Sequence, residues 1–246
     1  MSFTPEEVDR YARQLVLREI GGGGQQKLKA ASVLIVGAGG LGAPAALYLA
    51  AAGVGRIGIA DPDEVALSNL QRQVIYASAD VSRPKVDAAA ERLRGLNDAV
   101  TIESLPFAVT ADNAREMVRG YDLVLDGTDD FATRLIVSDA CVAEGRTLVS
   151  GAIGRWAGQV GVFAGRPCYR CFLGEAPPGA ETCAAVGVVG ALAGVIGSMM
   201  ALEAVKLLAG AGAPLTGRLL IYDSLAAEAR TVRVAPDRNC PACGEG

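Results

Sequence analysis

Apolar and polar positions fall in blocks along this chain, and the period changes from block to block. Residues 32–36 form a short run rich in β-branched side chains, which predicts a buried strand, and residues 56–60 predict the next. Between them residues 41–52 have helical composition. The alternation continues with a helix over 83–96, a strand over 100–105, a helix over 112–118, a strand over 122–125, a helix over 131–143 and a strand over 147–150. Strands alternating with helices predict right-handed crossovers and a Rossmann-like, doubly wound α/β fold with a mainly parallel sheet. After Gly151 the pattern changes. Residues 158–163, 218–222 and 230–234 read as strands with one long helix among them, which predicts an antiparallel extension in the C-terminal half.

Two stretches stand outside this alternation. Residues 4–20 read as one helix, with Pro5 early and Tyr11, Leu15 and Val16 at helical spacing. The run Gly21 to Gly24 is expected to break it, giving an N-terminal helical arm (1–30) able to reach away from a body spanning 31–246. Residues 184–202 are uncharged, with Gly190 and Gly194 at GxxxG spacing. They lack flanking basic clusters and aromatic anchors and run on into Glu203 and Lys206, so a core or dimer-interface helix is expected instead of a membrane span. No basic segment precedes an apolar run at the N-terminus, and a cytoplasmic location is expected.

Composition narrows the chemistry. The 246 residues carry 23 Lys+Arg against 27 Asp+Glu, a net charge of −4, and no histidine. His-based nucleophilic triads, His-ligated zinc and imidazole general bases are therefore excluded. The acidic balance argues against nucleic acid as a partner.

Gly37, Gly39, Gly40 and Gly42 lie between a predicted strand and helix, where backbone can approach a phosphate. Asp61 follows 19 residues after Gly42, at the end of the second strand, where a carboxylate can take ribose hydroxyls. No GxxxxGK[ST] occurs, so a Walker phosphate loop is absent. Asn69, Arg72, Gln73 and Lys85 could converge beside this turn, supplying the counter-charge that a triphosphate and a departing pyrophosphate need. Lysine is scarce (only Lys27, Lys29, Lys85 and Lys206), which makes Lys85 less easily a random surface residue. Asp129 and Asp130 end another predicted strand. Asp129 is a candidate Mg²⁺ ligand, and either aspartate could instead cap the following helix.

The cysteines divide by spacing. Cys168/Cys171 and Cys240/Cys243 form two CxxC pairs separated by 68 residues. Four thiolates suit one closed, structural Zn²⁺ site, against the alternatives of redox-active or unmetallated thiols. Cys141 falls on the apolar side of a predicted helix, and Cys183 in a Pro/Gly-rich stretch.

Taken together, Tyr11-Ala12-Arg13-Gln14, the 37–42 turn, Asp61 to Gln73, Lys85, Gly127 to Asp130 and the two CxxC pairs resemble the MoeB/ThiF/HesA family of ubiquitin-activating-enzyme-like adenylyltransferases, over nearly the whole chain. The resemblance implies ATP- and Mg²⁺-dependent adenylylation of the C-terminal Gly-Gly carboxylate of a ubiquitin-like sulfur carrier, MoaD or ThiS, for molybdopterin or thiamine biosynthesis. It implies that Gly40 lies against the nucleotide, that Asp61 holds the ribose, and that Asn69, Arg72 and Lys85 serve the phosphates with Gln73 close by. Asp129 matches the catalytic aspartate that places the metal. Arg13 matches an arginine that reaches the other subunit's triphosphate, which implies a homodimer. Cys183 lies near where the family places a cysteine able to bond to the carrier. Asp130 stands where the family usually has Asn, which makes the metal site more negative. Two other classes remain as readings of the residues. One is an NAD-dependent oxidoreductase using the same turn, although no Tyr-x-x-x-Lys pair supplies its acid/base group. The other is a zinc-stapled binding module without catalysis.

Overall fold

The computed structural model describes residues 3–174 and 187–244. Its centre is an eight-stranded sheet in the order β3-β2-β1-β4-β5-β6-β7-β8. Strands β1 (Ser32–Val36), β2 (Arg56–Ala60), β3 (Thr101–Leu105), β4 (Leu123–Asp126) and β5 (Thr147–Gly154) run parallel. Strands β6 (Ala157–Phe163), β7 (Arg218–Asp223) and β8 (Glu228–Arg233) then extend the sheet antiparallel. All five residues of β1 are buried, as befits a central strand covered on both faces.

Two apolar cores flank the sheet. One joins Ile35, Ile57 and Ile59 to helices α4 (Gly42–Ala51) and α5 (Lys85–Leu96) and to the long helix Gly190–Ala209. The other joins Leu34, Val36 and Val124 to helices α6 (Ala114–Arg119) and α7 (Phe131–Ala143). Helix α8 (Tyr169–Leu173) closes the second core through Tyr169, whose ring meets Phe163 edge-on at 5.4 Å. The helix Gly190–Ala209 is long and apolar enough to cross a membrane by length and composition. Here Ile196 and Met200 are fully buried against the sheet, over Gly158 and Gly151, while Val195 and Leu202 stay exposed on its other side. The expected core helix is thus observed, with one face left open.

The N-terminal segment departs from expectation. Two helices, α1 (Pro5–Arg10) and α2 (Ala12–Leu15), replace the single one over 4–20, and a third, α3 (Gly21–Ala30), follows. The glycine run, expected only to break the helix, instead starts α3. Gly21 takes the left-handed φ of +54°, and Gly24 is buried where a Cβ would meet Ile20 and Ala209. Nor does the arm reach away. Tyr11 is buried over Gly53, and its hydroxyl accepts a hydrogen bond from Asn97 Nδ2 at 2.9 Å. Gln14 Nε2 donates to Ala52 O at 3.1 Å, and Arg10 donates to Leu96 O at 2.8 Å. The Arg10 bond reaches an end carbonyl of α5, and Gln14 shares the Ala52 carbonyl just past α4 with Gln25 Nε2, so docking the arm helps to cap both helices.

Candidate active site

Strands β1, β2 and β4 present their carboxyl ends to one edge. The strand order reverses between β1 and β4, which opens the crevice where doubly wound sheets bind ligands. A cleft of about 350 Å³ occupies this position. The β1–α4 turn forms its floor. Gly37, at φ +91°, lies so close to Gly127 and Thr128 that a Cβ would sit 3.2 Å from both backbones. Gly39 and Gly40 line the cleft directly. Gly42 does not. A Cβ there would strike the carbonyl of Gly37, so its task is to let α4 start tightly behind the turn.

Asp61 enters from the end of β2, and its Oδ2 accepts the Ala38 N–H at 2.8 Å. Its Oδ1 takes the Asp63 N–H at 2.9 Å and lies 3.7 Å from Lys85 Nζ. Lys85, nearly buried at the start of α5, makes its closer contact with Asp63 Oδ2 at 2.7 Å. The loop between β2 and α5 supplies Asn69, Arg72 and Gln73 to the same wall. Gln73 is buried, and its Oε1 finds no hydrogen-bond partner among the described residues, an orphaned acceptor facing a polar cleft. Bare backbone at Gly39 and Gly40, an orphaned amide oxygen and the two cations Arg72 and Lys85 in the lining fit a phosphate-bearing nucleotide.

The opposite wall is the β4–α7 loop, and here two adjacent aspartates separate in role. Asp130 is the N-cap of α7: its Oδ2 accepts both the N–H and the hydroxyl of Thr133 at 2.7 Å. Those bonds hold its carboxyl below the usual carboxylate range. Asp129 is exposed on the same wall, and both aspartates border the cleft, so one or two carboxylates here fit the modest protein share of Mg²⁺ coordination on phosphates.

The geometry also assigns a residue that sequence reasoning missed. Arg134, on α7 and 5 % exposed, donates to Gly151 O at 2.8 Å and to Thr128 O, and lies 3.4 Å from the fully buried Asp126. Asp126 in turn accepts from Ser150 Oγ at 2.9 Å and from Thr128 Oγ1 at 2.7 Å. This network fixes the loop carrying Asp129. A signal was present: Arg134 is the only basic residue in helix α7, on a helix whose other positions are mostly apolar.

Not every expected residue reaches the cleft. Arg13 is exposed on the docked arm and is absent from its lining. Tyr11 and Gln14 face the body, so Arg13 points to the outside. Cys183 lies outside the described residues.

The two CxxC pairs do meet, with all four Sγ atoms within 4.8 Å of one another. Cys168 and Cys240 sulfurs are 3.6 Å apart, and Cys171 and Cys243 3.4 Å. A tetrahedral zinc–thiolate site, with arms of ~2.3 Å, places its sulfurs about 3.8 Å apart, so the donor set fits zinc. The cluster ties α8 to the C-terminal tail, far along the chain from the cleft loops.

A model of the ThiF family matches residues 11–242. The sulfur carrier protein adenylyltransferase of Thermus thermophilus is 50% identical over 100% of this chain and 94% of its own length. The SAMP-activating enzyme E1 of Haloferax volcanii is 45% identical over 100% of this chain and 92% of its own. The adenylyltransferase and sulfurtransferase MOCS3 of Bos taurus is 50% identical over 99% of this chain, which spans 55% of that longer protein. In shape the chain is similar to E. coli MccB, with a TM-score of 0.86 over 99% of this chain and 74% of MccB at 19% identity. The oxidoreductase and the non-catalytic readings are thereby set aside: the chain belongs to the ThiF family and is an adenylyltransferase.

Proposed function

We propose that this enzyme uses ATP to adenylylate the C-terminal Gly-Gly carboxylate of a ubiquitin-like sulfur-carrier protein, releasing pyrophosphate. The observation that carries the reading is the composition of the cleft. It joins a bare glycine turn, a ribose-height carboxylate, Arg72, Lys85 and Asp129, without any imidazole. A C-terminal carboxylate is already ionised near neutral pH and needs no general base. What its attack on phosphorus needs is in-line placement and neutralised phosphate charge.

In this reading the carrier carboxylate oxygen forms a bond to the α-phosphorus of ATP. The bond from that phosphorus to the bridging oxygen of pyrophosphate breaks. Asp61 takes the ribose hydroxyls, and the Gly39–Gly40 backbone lies under the phosphates. Arg72 and Lys85 balance the growing charge on the leaving group and Asn69 donates a hydrogen bond to it, with Lys85 exchanging part of its hold on Asp63 for phosphate oxygen. Mg²⁺ bound at Asp129 would neutralise further phosphate charge. The zinc site is structural and staples the tail. Arg13, exposed on the arm, serves the cleft of a second copy in a homodimer. Molybdopterin or thiamine biosynthesis is the pathway class that such a carrier would serve, in the cytoplasm.

Exchange of labelled pyrophosphate into ATP tests the reading. It is expected only when a Gly-Gly-ended carrier is added, and to disappear in Asp129→Ala. Exchange that is indifferent to the carrier would reject it.

A further inference from the structure

The β1–α4 turn is held by two side chains. One, Asp61, grips the Ala38 N–H. The other is Tyr76, from the far end of the loop that carries Asn69, Arg72 and Gln73. Its hydroxyl donates to Ala38 O at 2.8 Å, in a buried setting. Tyr76 is 7 % exposed, and burial, with Asp61 nearby, pushes its phenol well above the usual tyrosine value, so it stays a donor at any working pH. Tyr76 does not line the nucleotide cleft. It lines a second cavity behind the loop, of about 600 Å³, with Leu47, Ile75 and Ala88. Its side chain is therefore tied to the cleft's glycine turn through the hydrogen bond to Ala38.

We infer that Tyr76 is a positioning residue for ATP: by pinning Ala38 it fixes the separation of the glycine turn from the Arg72–Gln73 wall and so sets the fit of the cleft to the triphosphate. No other link of this kind joins the two walls among the described residues. Gln73 Nε2 lies beside Gly39, where a Cβ would be 3.5 Å away, and the chain from Gln73 to Tyr76 is a tight turn, Tyr76 N–H donating to Gln73 O at 3.2 Å. A shift of the Tyr76 ring would thus carry Gln73 and Arg72 with it. The pin is in place before and throughout the reaction. Its loss should weaken ground state and transition state alike, raising KM for ATP and sparing kcat.

The inference rests on the cleft being the ATP site, and the test separates the two claims. ATP binding to the wild-type protein is measured without carrier, and carrier-dependent exchange is then measured for wild type and Tyr76→Phe, with a melting curve for each. Tyr76→Phe removes one oxygen and keeps the ring. The expected result is a three- to tenfold rise in both Kd and KM for ATP, with kcat and the carrier KM within twofold, that factor being the usual net worth of about 1 kcal/mol for one hydrogen bond. Amide exchange at Ala38 to Gly40 in the nucleotide-free protein should quicken in the variant, a readout that needs no activity. Unchanged ATP affinity, with or without a lower melting temperature, would overturn the inference. So would a fall in kcat at unchanged KM. Failure of the wild type to bind ATP would instead overturn the reading of the cleft.

Discussion

Thr133 ties down one oxygen of Asp130. Its backbone N–H and hydroxyl both donate to Asp130 Oδ2 at 2.7 Å, so of two neighbouring carboxylates on the cleft wall one also caps helix α7, while Asp129 makes no such cap. Substituting each should separate the roles. Asp130→Ala is expected to cost about 1 kcal/mol of stability, the usual worth of an N-cap, and to leave most activity. Asp129→Ala should abolish pyrophosphate exchange and leave the melting temperature within a degree or two of wild type on the scale of about 0.5 kcal/mol. Because Asp130 is held below its unfolded value, its stabilising share is complete above ~pH 3.9 and is lost as pH falls through the lower folded value. Denaturant midpoints between neutral and acid pH should therefore converge for wild type and Asp130→Ala.

Arg134 holds the same loop from beneath. Arg134→Met would leave Asp126 buried without its cation and two carbonyls without a donor. Removing one partner of a buried pair typically costs about 3–5 kcal/mol. Urea unfolding should show a loss of that order, and exchange activity should fall with it as Asp129 loses its support. A variant as stable and active as wild type would show that the network does not hold the loop.

Arg13 offers a test of assembly. It lies outside its own cleft, so a protein carrying Arg13→Ala and one carrying Asp129→Ala should each be nearly inactive. Mixed under conditions that exchange subunits, they should recover activity, because a hybrid dimer holds one intact site. No recovery, or a fully active wild-type monomer in sedimentation, would contradict service in trans.

The cysteine cluster predicts about one zinc ion per chain by metal analysis, a stoichiometry that follows from one tetrahedral set. Cys243→Ser or prolonged chelation should release it and lower the melting temperature, since metal binding is coupled to folding. A metal-free protein of equal stability would remove the staple.

Much of this was legible in the residues. The β-branched runs located β1 and β2 to the residue, because strands buried on both faces carry an unbroken apolar signature. Asp61 and Lys85 stood out as charges at a strand end and a helix start, with Arg72 in the polar loop between them, where an open sheet places its ligand. The glycine run misled, because its helix depends on Gly24 packing against Ile20 and Ala209, and Ala209 lies at the other end of the chain. The arm misled for a similar reason: Asn97 and Gly53, which receive Tyr11, carry no mark of that duty in the sequence. Tyr76 escaped because its partner is a backbone carbonyl, which no side-chain pattern announces, and Arg134 because a lone basic residue in a helix does not name the carbonyls and the Asp126 it will meet.

Mass analysis of a purified Gly-Gly carrier after incubation with enzyme, ATP and Mg²⁺ tests the central claim most directly. The account predicts a carrier heavier by one AMP at its terminal glycine, formed with one pyrophosphate, and none on a carrier lacking the last glycine. ATP consumption without AMP on the carrier, or AMP placed elsewhere on it, would contradict the account.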